Sequence, residues 1–412
     1  MVTRTSQLTS RPSITLKKAT GIHQSRLLAA STRALVATEP SIAAYYPSGM
    51  RVVLDATVVT PRQKGTGRVV QNLVAALPAA APHHEFVALV SAEGMPLLPE
   101  SDTNLRLRRV EPHRSVIWEL RELPRQATQE HADAVLSLRE IVGFGGPATL
   151  MHVAEPPAYR LQRGLSGRRA KFVAKDALLQ AMLGGSVKRA ASVTAASTAT
   201  AVWLRDRYGI DPPVIPPGID PFFLEQAEPG SPGARYLLHA ASDDARDNSE
   251  LVLRSFAEAR LAPQGIHLVL VGTPVSSQEQ LGRLAIGLGI SDSVEFTGWV
   301  TDARLRELYR DAIALVQPSR FEGFAGLQPL EAMAQGTAVV ALDAPGVTEA
   351  LGSAAELVPQ DRPDLLAAAV RRVAMNDVFR SHLGEAGRSK AQQFTWARAA
   401  SAFVGVLDAM AK

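Results

Sequence analysis

Residues 318–337 form the segment of the sequence with the greatest potential for chemistry. They follow an apolar run typical of a buried strand, and Gly323 and Gly326 allow a ligand to approach the backbone closely. A helix is predicted to start near residue 328, and its first turn directs free amide groups and the positive end of the helix dipole toward the same loop. This arrangement suits a phosphate or a diphosphate.

Two carboxylates belong to the same segment. Glu322 lies in the loop and Glu331 in the first part of the predicted helix. Both can accept hydrogen bonds from hydroxyl groups, which sugars and riboses supply. A second interpretation needs no ligand, because Glu331 also complements the helix dipole and Glu322 also fits a solvated loop.

Three other places combine a predicted strand with a residue that a ligand could use. Gly65 and Gly67 lie in a turn between a strand and a helix, His152 ends an apolar run, and Gly298 and Trp299 follow a short strand. Each place also has an ordinary structural interpretation. These are a plain strand-to-helix turn, a structural histidine, and a turn with a packed tryptophan.

The elements that position these residues alternate between strands and helices. Apolar runs predict strands at residues 51–56, 86–90, 134–136, 148–151, 192–195 and 214–215, then at 236–240, 267–272, 294–296, 312–316, 338–341 and 355–358. Strands that alternate with helices indicate parallel sheets. The predicted fold class is α/β, with two Rossmann-like domains whose sheets face a central crevice, where such sheets bind their ligands.

Composition excludes several classes of protein. Residues 1–49 carry a net charge of +5 and the whole chain +4, so the remainder carries −1 and offers no broad basic face for nucleic acid. The absence of cysteine excludes disulfides and thiolate catalysis. No apolar run approaches the roughly 20 residues of a membrane-spanning helix, and residues 1–49 lack the apolar core of a secretory signal. We expect a cytoplasmic protein, at most peripheral to the membrane.

The motif at residues 318–337 resembles a known signature. Glu-Gly-Phe at 322–324, followed by Pro-Leu-Glu-Ala-Met-Ala at 329–334 and a glycine, is similar to the signature of family-4 retaining glycosyltransferases of the GT-B fold, the group 1 glycosyltransferases. The resemblance implies that Glu322 contacts the donor sugar and that Glu331 binds the nucleotide ribose. It also implies that backbone amides of the loop between them hold sugar hydroxyls and the diphosphate. These loop residues are Gly323, Phe324, Ala325, Gly326 and Leu327.

Weaker landmarks follow the order of the same family over about residues 50–400. Gly65 and Gly67 resemble its first glycine-rich loop, which admits acceptor or phosphate. His152 resembles the crevice histidine that touches the donor sugar. Gly298 and Trp299 resemble the segment that meets the nucleotide base.

The sequence departs from the family at three points. The family usually has an aspartate after the crevice histidine, whereas Val153 follows His152 here. Eight residues separate Glu322 from Glu331, where the family has seven. The family also commonly has an arginine and, five residues later, a lysine that neutralise the departing diphosphate, and these positions hold Ser242 and Asp247 here. Arg246 is the nearest substitute, since its guanidinium could clasp phosphate oxygens, although a surface role would explain it equally well.

The resemblance also assigns the domains. Residues 1–49 are predicted to be a disordered or mis-started extension, 50–222 the acceptor domain, 223–234 a linker, 235–393 the donor domain, and 394–412 a terminal helix that returns to the first domain. The sequence contains no Asp-x-Asp or His-Glu-x-x-His motif, and the family works without a bound metal or other cofactor.

The function that the resemblance implies is transfer of a sugar, with retention of configuration, from a nucleoside-diphosphate sugar to an acceptor hydroxyl. The acceptor is a saccharide, a lipid-linked sugar or a small molecule, and the setting is polysaccharide, glycolipid or glycoconjugate biosynthesis. Two alternatives remain open. One is a non-catalytic partner protein that has lost the diphosphate cations, and the other is a nucleotide-sugar epimerase of the same fold.

Overall fold

The structure is a computed structural model. It describes residues 49–412 except 62–64, 101–103, 112–115, 156–168, 228–234, 243–244, 321, 325, 361 and 363, and for residues 169–177 and 179 it describes the backbone alone. Residues 49–412 form one compact unit. The predicted extension, apart from Gly49, and residues 228–234 of the predicted linker lie outside the described residues.

The first half of this unit is built on a parallel sheet with the strand order β3-β2-β1-β4-β5-β6. The strands are β1 (Arg51–Asp55), β2 (Glu85–Val90), β3 (Leu105–Arg109), β4 (Ala134–Ser137), β5 (Ala148–Val153) and β6 (Ser192–Ala195). Because β1 pairs with both β2 and β4, the order of strands reverses there. Such a switch point opens a crevice at the carboxyl ends of the strands.

Helices cover both faces of this sheet. They are α1 (Gly65–Ala80), a π-helical turn (Trp118–Glu122) continued by α2 (Leu123–Gln129), α3 (Arg169–Arg189), α4 (Thr198–Tyr208) and the short α5 (Pro221–Leu224). Helix α1 buries Val70, Leu73, Val74 and Leu77, which recur at helical spacing and face the core.

Three features of the first sheet differ from the sequence prediction. Strand β3 was not predicted, because its sequence Leu-Arg-Leu-Arg-Arg alternates as an edge strand does and lacks a continuous apolar run. The strand predicted at residues 214–215 is wrong, since Val214 forms only an isolated bridge with Ala195. Strand β5 also continues past its predicted end through His152 to Val153.

The second half contains a parallel sheet with the strand order β12-β11-β10-β7-β8-β9. Its strands are β7 (Arg235–Ala240), β8 (Ile266–Val271), β9 (Val294–Gly298), β10 (Ala314–Gln317), β11 (Ala338–Asp343) and β12 (Glu356–Pro359). Its helices are α6 (Ser249–Glu258), α7 (Val275–Gly287), α8 (Asp302–Asp311), α9 (Leu327–Ala334), α10 (Val347–Leu351), α11 (Leu365–Met375) and α12 (Asp377–Ala391). The switch point lies between β7 and β10.

The last helix, α13 (Trp396–Met410), packs into the core of the first half rather than the second. Thr395 caps its start by accepting a hydrogen bond from the Arg398 amide at 3.3 Å. Its buried face comprises Trp396, Ala399, Ala400, Phe403, Val404 and Leu407. The chain therefore passes between the halves twice, and the two crossing segments pair where the Ile219 amide donates to the Phe394 carbonyl at 3.0 Å.

These two parallel sheets, with helices on their faces and their carboxyl-end loops in contact, confirm the predicted α/β fold class of two Rossmann-like domains. None of the helices in the described ranges is long and apolar enough to cross a membrane.

Candidate active site

Helix α9 presents Glu331 to the crevice. Gly326 precedes the helix with φ +79°, a conformation that favours glycine, and Leu327 is its first residue. Glu331 is buried, and its Oε2 accepts a hydrogen bond from the Tyr309 hydroxyl at 3.0 Å. Burial raises the pKa of Glu331 to about 7, and the nearby Arg68 opposes this rise. The carboxyl group that resembles the ribose ligand thus stands in a dry, shielded position.

Arg68 reaches Glu331 from the first half of the molecule. It follows Gly65 and Gly67 in the first turn of α1, and its Nη1 lies 3.5 Å from Oε1 of Glu331. The other end of the guanidinium donates to Asp302 at the start of α8. The glycine-rich turn and the second carboxylate of the motif therefore meet through Arg68. The sequence analysis considered the glycines of that turn and did not assign Arg68 to the site.

The Glu-Gly-Phe loop lies against the end of β5. A side chain at Gly323 would overlap the carbonyl oxygen of Ala154 and the Cβ of Glu155, so only glycine fits this contact. Phe324 is buried, with its ring centroid 5.4 Å from that of Phe394. Loops at the carboxyl ends of the two sheets thus touch directly. Ala325 lies outside the described residues.

Glu322 is half-buried at this junction. Burial raises its pKa to about 8; Arg246 lowers it, and Glu155 raises it further. At neutral pH this carboxyl group is therefore mostly protonated, so it can donate a hydrogen bond as well as accept one. A neutral carboxyl group of this kind is better suited to the hydroxyl groups of a sugar than to a cation.

The loop after β7 contains the predicted cation. Arg246 lies in a 3₁₀ turn (Ala245–Asp247), and its Nη1 donates to Oε2 of Glu155 at 2.8 Å. Asp247 accepts from the Ser242 amide at 2.8 Å and from its hydroxyl at 2.6 Å. The two positions where the resembling family carries cations are therefore bonded to each other.

A second arginine, missed by sequence reasoning, stands beside Arg246. The amide of Arg320 donates to the Arg246 carbonyl at 3.1 Å, and its Nη2 donates to Oδ1 of Asn248 at 3.1 Å. Arg320 follows β10 and Arg246 follows β7, so the two arginines flank the switch point of the second sheet. The sequence signal that could have identified Arg320 is its position two residues before Glu322.

His152 has the partners of a structural histidine. It is buried, its Nδ1 lies 3.0 Å from the Thr194 hydroxyl, and its ring meets that of Phe403 edge-on at 5.2 Å. Burial lowers its pKa to about 4, so the ring is neutral at physiological pH. It stands one residue before the end of β5, close in sequence to the crevice residues Ala154 and Glu155.

Gly298 and Trp299 lie at the edge of the second sheet. Gly298 ends β9 with φ +65°, and its carbonyl accepts from the Gly272 amide at 2.7 Å. The indole of Trp299 is 59% exposed, so the alternative interpretation of a packed tryptophan is wrong. An exposed indole at the carboxyl end of this edge strand offers a flat apolar surface for a base.

One further contact joins the two halves. Glu349 of α10 accepts hydrogen bonds from the Thr198 amide at 2.9 Å and the Thr198 hydroxyl at 2.8 Å, at the start of α4. This contact places a second-half carboxylate on a first-half helix terminus, where the dipole favours negative charge.

His83, His84 and Asp408 form a cluster that resembles a metal site. The Met50 amide donates to Nδ1 of His84 at 3.1 Å, so the neutral ring carries its proton on Nε2, which lies 3.2 Å from Asp408. A ring nitrogen that carries this proton does not bind a metal ion. The cluster sits at the amino ends of β1 and β2, opposite the crevice, and fastens α13 to the first sheet.

Sequence comparison identifies a family and several relatives. Residues 224–390 match the family described as glycosyl transferases group 1. The chain is 34% identical over 233 residues to a D-inositol 3-phosphate glycosyltransferase of Geodermatophilus obscurus, covering 51% of this chain and 50% of the relative. It is 31% identical over 221 residues to a phosphatidyl-myo-inositol mannosyltransferase of Mycobacterium tuberculosis, covering 51% and 57%. The chain thus spans about half the length of the curated relatives it matches.

Solved structures share the fold over almost the whole described chain. Sucrose-phosphate synthase from Thermosynechococcus elongatus superposes with a TM-score of 0.70 at 19% identity, covering 87% of this chain and 98% of that one. WaaG, a glycosyltransferase of lipopolysaccharide biosynthesis, gives 0.65 at 17% identity, covering 86% and 99%. Anabaena Alr3699/HepE, solved with UDP and glucose, gives 0.65 at 16% identity, covering 87% and 100%. Residues 224–390 thus match the group 1 glycosyl transferases, the family indicated by the Glu-Gly-Phe motif, and the two described halves together have the GT-B fold of these structures.

Proposed function

We propose that this protein is a retaining, metal-independent glycosyltransferase that moves a sugar from a nucleoside-diphosphate sugar to an acceptor hydroxyl. Glu331 lies on the helix that follows the Glu-Gly-Phe loop. The observation that carries the proposal is that Glu322 and Arg246 lie with Glu155 at the end of β5, where the carboxyl ends of the two sheets meet. Ligands of parallel α/β sheets bind at such a place. The match of residues 224–390 to group 1 glycosyl transferases supports it.

The donor fits this crevice piece by piece. Glu331 accepts hydrogen bonds from the ribose hydroxyls, and the exposed indole of Trp299 stacks on the base. The first turn of α9, together with Arg246 and Arg320, offers amide donors and positive charge to the diphosphate. Glu322, neutral at pH 7, exchanges hydrogen bonds with the sugar.

The transfer itself requires no protein nucleophile. The bond between the anomeric carbon and the diphosphate oxygen breaks, the acceptor oxygen bonds to the same face of the sugar, and the departing phosphate takes the acceptor proton. The two arginines and the α9 dipole stabilise the negative charge that develops on the leaving group, which is usually the largest catalytic contribution. The neutral ring of His152 adds no charge at this place.

The acceptor is proposed to bind to the first half, beside β5. The curated relatives carry names that refer to inositol 3-phosphate and phosphatidyl-myo-inositol. These names support a hydroxyl-rich acceptor such as a polyol, glycolipid or saccharide. We propose a role in glycoconjugate synthesis in the cytoplasm.

Calorimetric titration of UDP, GDP, ADP and TDP tests the donor site. We expect one nucleotide to bind the wild type and both Glu331→Gln and Arg246→Ala to weaken this binding roughly tenfold or more. The first removes the carboxyl group proposed for the ribose, and the second removes the guanidinium proposed for the diphosphate. Glu279→Gln, which changes a carboxylate that is 79% exposed on α7, is the matched control and should bind normally. Absence of binding of all four nucleotides at millimolar concentration would contradict the proposal.

A second candidate function is a non-catalytic partner protein that retains the donor site. It is favoured by one observation, the mutual pairing of Ser242 and Asp247 where the family carries cations. The two candidates separate in a turnover assay with the matching nucleotide sugar and a panel of acceptors. Release of nucleoside diphosphate supports the transferase, whereas tight binding without release supports the partner protein.

A further inference from the structure

Glu155 of the first half occupies the crevice at the place proposed for the diphosphate. Its side chain is 14% exposed, and its Oε2 accepts from Nη1 of Arg246 at 2.8 Å. Its backbone amide donates to Oε1 of Glu140 at 3.2 Å. The close approach of Gly323 to its Cβ holds it from a third side. The position of this carboxylate is therefore fixed by contacts on both sides of the crevice.

A carboxylate and a phosphate offer a guanidinium the same partner, namely an oxygen acceptor with negative charge. Arg246 is 24% exposed and already lies among the acidic groups Glu155, Asp247 and Glu322. A diphosphate that approached Arg246 would meet the Glu155 carboxylate at the same donor. The two anions repel each other and compete for one cation, so both cannot occupy it at full strength.

We propose that Glu155 is an internal competitor of the donor diphosphate, a residue of the acceptor half that sets the affinity of the donor half. This inference rests on the proposed function. Donor binding at Arg246 must break the hydrogen bond between Glu155 and Arg246. After transfer, the return of Glu155 to Arg246 displaces the diphosphate product, and product release of this kind limits the rate of many enzymes.

The test compares Glu155→Gln and Glu155→Ala with Glu349→Gln. All three remove a carboxylate that bridges the two halves, but Glu349 contacts the start of α4 and does not touch Arg246. Titrations use UDP, GDP, ADP and TDP and the corresponding monophosphates. Thermal unfolding of each variant verifies that it is folded.

We expect both Glu155 variants to bind the preferred nucleoside diphosphate roughly fivefold more tightly, the effect of removing one partly exposed ionic competitor. The affinity for the monophosphate, which places less charge at Arg246, should rise less in these variants. Glu349→Gln should leave the preference for diphosphate over monophosphate as in the wild type.

Three results would overturn the inference. If the wild type binds a diphosphate and the Glu155 variants bind it no more tightly, Glu155 is not a competitor, although the donor site stands. If Glu349→Gln gains as much, the effect is a general loosening of the crevice. If neither the wild type nor any variant binds a nucleotide, the proposed donor site fails and the inference fails with it.

Discussion

Glu322 and Glu331 are two carboxyl groups whose pKa values are raised in the folded protein for the same reason. Burial raises the pKa of both, to about 8 and about 7. The arginines beside them, Arg246 and Arg68, oppose this shift without cancelling it. In the unfolded chain both groups ionise near pH 4.5, so folding retains protons that the unfolded state releases.

This difference predicts that stability falls as the solution becomes alkaline. A group whose folded pKa is raised contributes stability that is fully present below its unfolded pKa and is lost as the pH rises through the folded value. Between about pH 6.5 and 8.5 the free energy of unfolding of the wild type should fall by up to about 2 kcal/mol through the titration of Glu322 alone. Glu322→Gln, whose amide resembles the protonated acid, should lose correspondingly less.

Thermal unfolding across this pH range provides the measurement. Glu279→Gln, which makes the same change of formal charge at an exposed site, should follow the wild-type curve. Parallel curves for Glu322→Gln and the wild type would mean that Glu322 is already ionised in the folded protein.

At the scale of elements, the two crossing segments meet at one close backbone contact. A side chain at Gly218 would lie 2.6 Å from the carbonyl carbon of Thr395 and would overlap the start of α13. Gly405, inside the same helix, faces open space. The two glycines therefore serve different purposes, since the first permits a close approach of two backbones and the second only costs helix propensity.

Substitution by alanine should have opposite effects at these glycines. Gly218→Ala should lower the free energy of unfolding by about 1 to 3 kcal/mol through overpacking, whereas Gly405→Ala should raise it by up to about 1 kcal/mol. Denaturant titration of both variants measures the difference. A lower free energy of unfolding for Gly405→Ala, or an unchanged one for Gly218→Ala, would contradict this account of the contact.

The burial of each element explains which parts of the fold could be predicted. Strands buried on both faces produce continuous apolar runs, so most of them were found from the sequence. Strand β3 was missed because an edge strand with alternating arginines carries no such run. The Glu-Gly-Phe loop and the start of α9 were found through glycine and helix signals. Arg68, Arg320 and Glu155 were not assigned, because their partners lie far away in the sequence and only the assembled crevice brings them together.

At the scale of the whole molecule, the terminal helix holds the first half together. Phe403 is 3% exposed in the core of the first half, where its ring also meets His152. His152 belongs to β5, whose end reaches the crevice. The packing of the last helix therefore supports the strand that positions Ala154 and Glu155.

Phe403→Ala should destabilise the protein by about 3 to 5 kcal/mol, the cost of removing a fully packed aromatic ring. Hydrogen exchange should quicken in β5 and α1 more than in the second sheet, because the cavity forms in the first core. Ile286→Ala, at a side chain that is 68% exposed on α7, should change stability by less than about 0.5 kcal/mol. Uniform exchange across both sheets would contradict this division.

The return of α13 also affects how the protein is made on the ribosome. Domains generally fold in the order in which they emerge, with the amino-terminal one first. Here the first sheet emerges without the helix that covers part of its core, since Trp396 and Leu407 are synthesised after the entire second sheet. The nascent first half must therefore keep an apolar face uncovered until α13 has emerged. Chaperone demand should accordingly peak during translation of the second half and end when α13 docks.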